Sequence, residues 1–352
     1  LYARWLRKCA RLSLQTPPAS LVICNDSSQF LNIGDERRAA PRIKLSPAEL
    51  TGSKLVSAIH ELARSRTTIE QKRAKHPFIR DVRNEYSVPI HIGGYSINQS
   101  IGNGGVGVVF EATASNNQAV AIKLIDSENI SDFRVLDRFI DEYELLSRVD
   151  HPHVIQVHEQ GFTDTHLYIV MELLTGGTLK EKIHNDLPVE QALQSSLHIC
   201  HALATIHDLG ILHRDIKPTN VLFDDNGQPV ITDFGIAKIN GPRRDIELTM
   251  QGEAVGTPAY MSPEQVLGRE VTTSSDLYAF GIMFYQMLSG KLPFQAGSPV
   301  SMMQKHVNDR PPHLPHDLVD FDPVVQRLLD KNPDKRYPSA WALYQDLEQF
   351  LM

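Results

Sequence analysis

The spacing of apolar residues changes its period along the chain. From about Tyr95 it alternates. Ser96 to Ile101 and Val108 to Ala112 read as two strands around a glycine-rich turn, and Ala119 to Ile125 as a third, rich in β-branched residues. Phe133 to Val149 then takes helical spacing, with Phe133, Leu136, Phe139, Ile140, Leu145 and Leu146 as its apolar members. Val154 to Val157 and Leu167 to Glu172 return to strand character. Beyond the Gly176–Gly177 break the pattern is mostly helical, over Val189–Leu209, Ser274–Leu288, Val300–His306, Val324–Leu329 and Ala340–Phe350. A small β-rich lobe followed by a larger helical one is an α+β, bilobal arrangement, with a cleft expected between the lobes.

Residues before Tyr95 are less patterned. Ala19–Cys24 and Arg42–Leu45 read as strands. Ser46-Pro47-Ala48-Glu49 has the serine cap and following glutamate of a helix start. The expected organisation is an N-terminal regulatory segment over residues 1–75, a linker over 76–94 and a domain over 95–352.

Charge divides the chain in the same place. The 352 residues carry a net charge of −7, but residues 1–90 hold 16 Lys and Arg against 8 Asp and Glu, and the remainder 19 against 34. The basic charges are spread out and not clustered, which argues for a solvated surface and against a nucleic-acid role. Cys9, Cys24 and Cys200 have neither disulfide nor metal spacing, which suits a reducing cytoplasm. No apolar run reaches the ~18 residues of a membrane span.

The chemistry begins at Ile101-Gly102-Asn103-Gly104-Gly105-Val106-Gly107-Val108-Val109. Its glycines allow phosphates close to backbone amides. The loop joins two strands and not a strand to a helix, which argues against a dinucleotide site. Val120-Ala121-Ile122-Lys123 follows at a strand position where a lysine can reach phosphates. Glu142 on the next helix is the best carboxylate to hold that amine, with Asp141 and Glu144 as rivals. Further on come His213-Arg214-Asp215-Ile216-Lys217-Pro218-Thr219-Asn220 and Asp233-Phe234-Gly235.

With these motifs in this order and spacing, residues 95–352 resemble the eukaryotic-type serine/threonine protein kinases, in their bacterial branch. The resemblance implies ATP-dependent transfer of a γ-phosphate to Ser or Thr hydroxyls of protein substrates, with autophosphorylation, in signal transduction. Phosphoryl transfer is mostly positioning and electrostatic stabilisation. By the resemblance Asp215 would orient the substrate hydroxyl and Lys217 would neutralise the moving phosphoryl. Asn220 and Asp233 would hold Mg²⁺, with Mn²⁺ as an alternative, and Lys123 with Glu142 would place the α- and β-phosphates. Ile101, Val109, Ala121 and Leu222 would sandwich adenine. Glu172 and Leu174 would offer it backbone hydrogen bonds, with Met171 as gatekeeper. Gly102 to Gly107, Asn103 and Val106 included, would cover the phosphates.

Lys217, two residues after Asp215, and Gly256-Thr257-Pro258 before Tyr260 resemble the Ser/Thr branch. Ser262-Pro263-Glu264 stands where the family usually has Ala-Pro-Glu. Glu264 is expected to pair with Arg336, and Asp276 to brace the catalytic loop. Thr249, Thr257 and Ser262 are the hydroxyls of the activation segment. Thr249 is the expected autophosphorylation site, its phosphate meeting Arg214 and Lys238. Of fifteen histidines, His151/His153, His198/His201 and His313/His316 are the closest sets, and none has a full metal-ligand count. Residues 1–75 resemble the tail of a receiver domain, with Lys44 near the receiver lysine and the phosphoacceptor position before Leu1. An unrelated regulatory appendage and a partly disordered extension are the alternatives, and a dimer or a two-component partner stays open.

Overall fold

The computed structural model describes residues 20–25, 29–31, 42–45, 78–80, 87–89, 91–104, 107–126, 146–162, 166–234 and 258–351. The chain divides into two compact units, residues 1–136 with 159–170, and residues 137–158 with 171–352.

The first unit opens with β1 (Ser20–Asn25), β2 (Gln29–Leu31) and β3 (Arg42–Leu45), in the order β2-β1-β3. β1 and β3 are parallel, with Ser20 opposite Arg42 and Ile23 opposite Leu45, while β2 is antiparallel to β1. Both parallel strands lie where the sequence puts them. β2 falls in a stretch with no strand expected, because a three-residue strand is too short to display a period. The helix expected from Ser46 lies outside the described residues. An antiparallel pair, β4 (Phe78–Arg80) and β5 (Ser87–Pro89), and the short β6 (His91–Ile92) occupy the stretch read as a linker.

β6 begins a six-stranded sheet that continues with β7 (Tyr95–Gly104), β8 (Gly107–Thr113), β9 (Ala119–Asp126), β10 (Val157–Phe162) and β11 (His166–Glu172). The spatial order is β10-β11-β9-β8-β7-β6. Because successive side chains alternate across a strand, one face collects Ile97, Phe110, Ala112, Val120, Ile122, Leu124 and Val170 into a buried core. The expected strand at Val154–Val157 instead makes a single bridge from Val154 to Ile231, and the ladder starts at Val157. Val154 and Ile155 are apolar because they are buried in the core of the second unit.

That unit is helical: α1 (Leu179–His184), α2 (Val189–Asp208), α3 (Pro263–Val266), α4 (Thr273–Ser289), α5 (Pro299–Asn308), α6 (Asp322–Leu328) and α7 (Ala340–Glu348). α4 is its axis. Leu277, Tyr278, Phe280, Ile282, Met283 and Phe284 are all fully buried, so no face is left for water. α2 and α6 pack against α4, and α7 against α2. The sequence finds these longer helices to within a few residues. It misses α1, although Thr178 and Glu181 form a capping box there, with Thr178 N donating to Glu181 Oε2 at 2.7 Å and Glu181 N to Thr178 Oγ1 at 3.2 Å. It also misses the hairpin of β12 (Val221–Phe223) and β13 (Pro229–Ile231). Of the helix expected over Phe133–Val149, only the end is described, where Leu146 and Val149 join the core.

Candidate active site

The segment between α2 and β12 has only a single 3-10 turn, Pro218–Asn220, so much of its shape is set by side chains planted beneath it. Asp276, 1% exposed on α4, does most of this. Its Oδ2 accepts from the His213 backbone N–H at 2.8 Å, and its Oδ1 from that of Arg214 at 2.8 Å. His207 Nε2, from the last turn of α2, lies 2.9 Å from the same carboxylate. Burial would raise the Asp276 pKa, but the His207 contact, His213 and the backbone donors outweigh it and hold the group below the usual carboxylate range. Arg214 is thereby kept at φ 64°, a left-handed conformation that L-residues seldom adopt. The His213 ring is fully buried, with Nε2 at 2.9 Å from the Thr232 carbonyl and its face against Phe234. Burial pushes its pKa below the ordinary histidine value, against the pull of Asp276 and Asp215.

The tightened loop brings four predicted residues together. Lys217 Nζ donates to Asp215 Oδ2 at 2.8 Å. Asn220 Nδ2 donates to that same oxygen at 3.0 Å and to the Asp215 carbonyl at 2.8 Å. The Asn220 amide also approaches the Asp233 carbonyl at 3.5 Å, and the Thr232 N–H donates to the Asn220 carbonyl at 2.8 Å. Asp233 therefore stands beside Asn220, at φ 53°, its side chain exposed between buried Thr232 and Phe234. The Asn220 amide oxygen and the Asp233 carboxylate are hard oxygen donors, a set that suits Mg²⁺ or Mn²⁺.

Below the loop lies the pair foreseen between Glu264 and Arg336. The guanidinium donates through both terminal nitrogens, at 2.8 and 2.9 Å, and also to the Asp330 and Ser274 carbonyls. Ser275 Oγ adds a 2.6 Å bond to Glu264. Ser262 has a structural reason to be serine. It is fully buried and caps α3, accepting from Gln265 N at 3.3 Å while Gln265 Oε1 accepts from Ser262 N at 2.8 Å. That removes it from the accessible hydroxyls.

In the first unit, the register sets Val109 opposite Lys123, Gly102 opposite Val109, and Glu111 opposite Ala121. Val109, Ala121 and Lys123 thus share the sheet face turned away from the Phe110–Ile122 core. Ile101 is an apolar residue left 46% exposed on the neighbouring strand. The glycines of the loop differ in why they are there. A Cβ on Gly107 would lie 2.1 Å from the Leu124 carbonyl oxygen, so the sheet itself demands glycine. A Cβ on Gly102 would meet nothing closer than Val109 Cβ at 3.9 Å. Folding does not require glycine at Gly102, whereas close approach of a ligand would.

Asn103 and Gly104 continue β7, opposite Val108 and Gly107, and Gly105 and Val106 lie outside the described residues. So do Glu142, Lys238, Thr249 and Thr257. Met171 and Leu174 pack against the core of the second unit. Glu172 pairs with Gln156, which donates its N–H to Glu172 Oε1 at 2.8 Å while its carbonyl accepts from Glu172 N at 3.0 Å. Leu222 lies half-buried on β12. Arg214 keeps Nε buried with no hydrogen-bond partner among the described residues. Two of the histidine sets merge: His151 Nε2 faces His201 Nδ1 at 3.2 Å and His153 stacks on His198. Sequence reasoning missed this cluster, since its members lie about fifty residues apart. It also missed His207, which no motif singles out.

An antiparallel sheet with a lysine on the face opposite its core, and a helical unit whose loop joins Asp215, Lys217 and Asn220, are the two lobes of the protein kinase fold. The protein kinase domain family matches residues 95–347. Over 255 residues the chain is 36% identical to serine/threonine-protein kinase PknA of Corynebacterium glutamicum, covering 70% of this chain and 54% of that protein. It is 36% identical over 260 residues to serine/threonine-protein kinase PknA of Mycobacterium tuberculosis, covering 70% and 59%. It thus spans little more than half the length of these relatives. The solved kinase domain of Mycobacterium tuberculosis PknI is similar at a TM-score of 0.59 and 25% identity, over 74% of this chain and 96% of that one. The chain belongs to the protein kinase family.

Proposed function

We propose that this chain is a serine/threonine protein kinase that transfers the γ-phosphate of ATP to protein substrates. The observation that carries the reading is the hydrogen-bonded set of Asp215, Lys217 and Asn220, with Asp233 beside it. Asp215 receives and orients the substrate hydroxyl, and Lys217, 2.8 Å from it, supplies positive charge where the phosphoryl moves. Asn220 and Asp233 hold the divalent ion, Mg²⁺ in preference to Mn²⁺, which neutralises phosphate charge when bound. Lys123, with Glu142 as its partner, holds the α- and β-phosphates under the Gly102–Gly107 loop. Ile101, Val109, Ala121 and Leu222 contact adenine, with Met171, Glu172 and Leu174 along its edge. No helix of the described residues is long and apolar enough to cross a membrane. We assign the kinase domain to 95–352 and its site of action to the ATP-containing cytoplasm. The parallel β1–β3 pair supports a receiver-like regulatory segment over 1–75.

The test is transfer of label from γ-labelled ATP, with Mg²⁺, to the protein itself and to a generic basic protein. Native chain labels Ser or Thr, and Asp215→Asn does not. Labelling that persists in Asp215→Asn removes the reading. The buried Nε of Arg214, with no hydrogen-bond partner among the described residues, supports a regulatory phosphate on Thr249, met by Arg214 and Lys238. Thr249→Ala then lowers activity several-fold and abolishes the phosphopeptide spanning that residue; unchanged activity with no such phosphopeptide in the native protein refutes it.

A further inference from the structure

A cavity of about 310 Å³ opens in the second unit, between the end of α1, the first turns of α2 and the β12–β13 hairpin. That volume lies at the lower end of the range for small-molecule sites. The floor is a cross-strand pair, Phe223 opposite Pro229, both buried. Leu187 adds a third apolar wall. The polar lining is Lys182, Ser195, His198 and three glutamines, so among the described residues it holds an ammonium and no carboxylate.

The ammonium has no counter-ion. Lys182 Nζ lies 4.3 Å from the centroid of the Phe223 ring, which puts it on the cavity wall. Contact with a ring face orients the group, but none of its three N–H donors meets an oxygen there. Lys182 forms no ion pair among the described residues, and neighbouring acids are engaged elsewhere. Glu181 accepts from the Thr178 amide at 2.7 Å. Asp224 accepts from the Asn226 and Gln228 amides at 2.9 and 2.7 Å, and Asp225 from the Thr175 hydroxyl. Ser195, 7% exposed, has no hydrogen-bond partner for its hydroxyl among the described residues, whereas Ser196 Oγ donates to the Ala192 carbonyl at 2.7 Å. The His198 ring is held from behind. It stacks on His153 at 4.2 Å, and His153 Nδ1 lies 2.8 Å from the Pro229 carbonyl. A half-buried ammonium and a buried hydroxyl thus line a space that offers them no acceptor of negative charge, where pairing is the rule for such groups.

We propose that this cavity binds a small carboxylate or phosphate anion, held by the Lys182 ammonium and the Ser195 hydroxyl, with its body against Leu187, Phe223 and Pro229. Both head groups supply the same hard acceptor oxygens. The site is distinct from the nucleotide site and does not depend on the kinase reading. Leu222, given above to adenine, points to the opposite face of β12 from Phe223. β12 begins directly after Asn220, and β13 ends two residues before Asp233. An occupant that bridges α1 and the hairpin therefore stiffens the element that carries both residues.

The full chain is titrated at constant ionic strength with benzoate, with phenyl phosphate and, as a neutral analogue, with benzyl alcohol. Binding is followed by calorimetry and by amide exchange at Phe223, Asp224 and Gln228. These amides donate to the Gly177 carbonyl, the Gln228 carbonyl and the Asp224 carboxylate, so they report on the hairpin. The proposal predicts saturable binding of at least one anion, slower exchange at the three amides, and no comparable binding of benzyl alcohol. The stronger of the two anions identifies the head group the site takes. Lys182→Met keeps the aliphatic stem and weakens binding about tenfold or more, the scale of one charged hydrogen bond. Lys182→Arg retains the charge and keeps the preference for anions over the alcohol. Absence of saturable binding by both anions overturns the proposal. So does binding that Lys182→Met leaves unchanged, or that benzyl alcohol matches. Anions displaced by Mg-ATP lie in the nucleotide site and overturn it as well. An acidic peptide that slows these amides where neither small anion does would make the cavity a docking groove, against the small-ligand assignment. Failure of phosphotransfer would remove the kinase reading and leave all of these readouts in force.

Discussion

Replacing Arg336 by methionine keeps much of the apolar stem and removes the guanidinium. Glu264, 4% exposed, then loses both charged donors and keeps the Ser275 hydroxyl bond. The Asp330 and Ser274 carbonyls lose their donors as well. Removing one partner of a buried ion pair costs about 3–5 kcal/mol. For a unit of this size that lowers Tm by roughly 6–20 °C. The pH dependence gives a sharper test. In the native protein burial would raise the Glu264 carboxyl, but the Arg336 bonds and charge, with Ser275, hold it below its ordinary value. The pair's contribution is therefore present above the unfolded carboxylate pKa and lost as pH falls through the lower folded one. Without Arg336, burial dominates and the folded pKa rises above the unfolded one. The deficit of the variant is then largest at neutral pH and shrinks on acidification, as Glu264 takes up its proton. Adding Glu264→Gln to Arg336→Met recovers part of the loss. The assay is thermal and urea unfolding between pH 5 and 8. A deficit below about 1 kcal/mol, or one that does not change with pH, refutes the reasoning.

Asp276→Asn keeps the shape but turns an amide N–H toward groups that now donate to a carboxylate, so it lowers stability by about 2 kcal/mol. It also reduces phosphotransfer by about tenfold or more through misplacement of the loop, and native kcat in this variant would refute the bracing role. The histidine cluster makes the second unit acid-sensitive. Burial, then His201, His153 and His198, lower the His151 pKa to about 4. A folded pKa depressed below the unfolded 6.5 means stability is full above pH 6.5 and declines between about 6.5 and 4. His151→Gln flattens that decline in a pH series of unfolding curves, and an unchanged slope would refute it.

Legibility in the sequence followed the range of the interactions. The Gly102–Gly107 loop, Lys123, and the Asp215–Asn220 segment are each encoded within a few neighbouring residues. Their chemistry is readable before any fold is known. Glu264–Arg336 and Asp276 were foreseen only through the family resemblance, since their partners lie 72 and 62–63 residues away. His207 and the His151–His201 contact carry no local pattern, so only packing reveals them. α4 was found by its unbroken apolar run. The strand expected at Val154–Val157 went wrong because an apolar run reports burial, whatever the backbone does. β12 and β13 are three residues each, too short for a period. The Asp224-Asp225-Asn226-Gly227 turn between them was nevertheless a visible signal, with Asp224 Oδ1 accepting from Asn226 and Gln228 amides.

Phosphotransfer itself tests the account most directly. Native chain and Asp215→Asn are incubated side by side with γ-labelled ATP and Mg²⁺, with and without a chelator, and the labelled residues are identified. The account predicts label on serine or threonine from the native chain alone, abolished by the chelator. Metal-independent labelling, label on other residue types, or equal labelling by Asp215→Asn would contradict it.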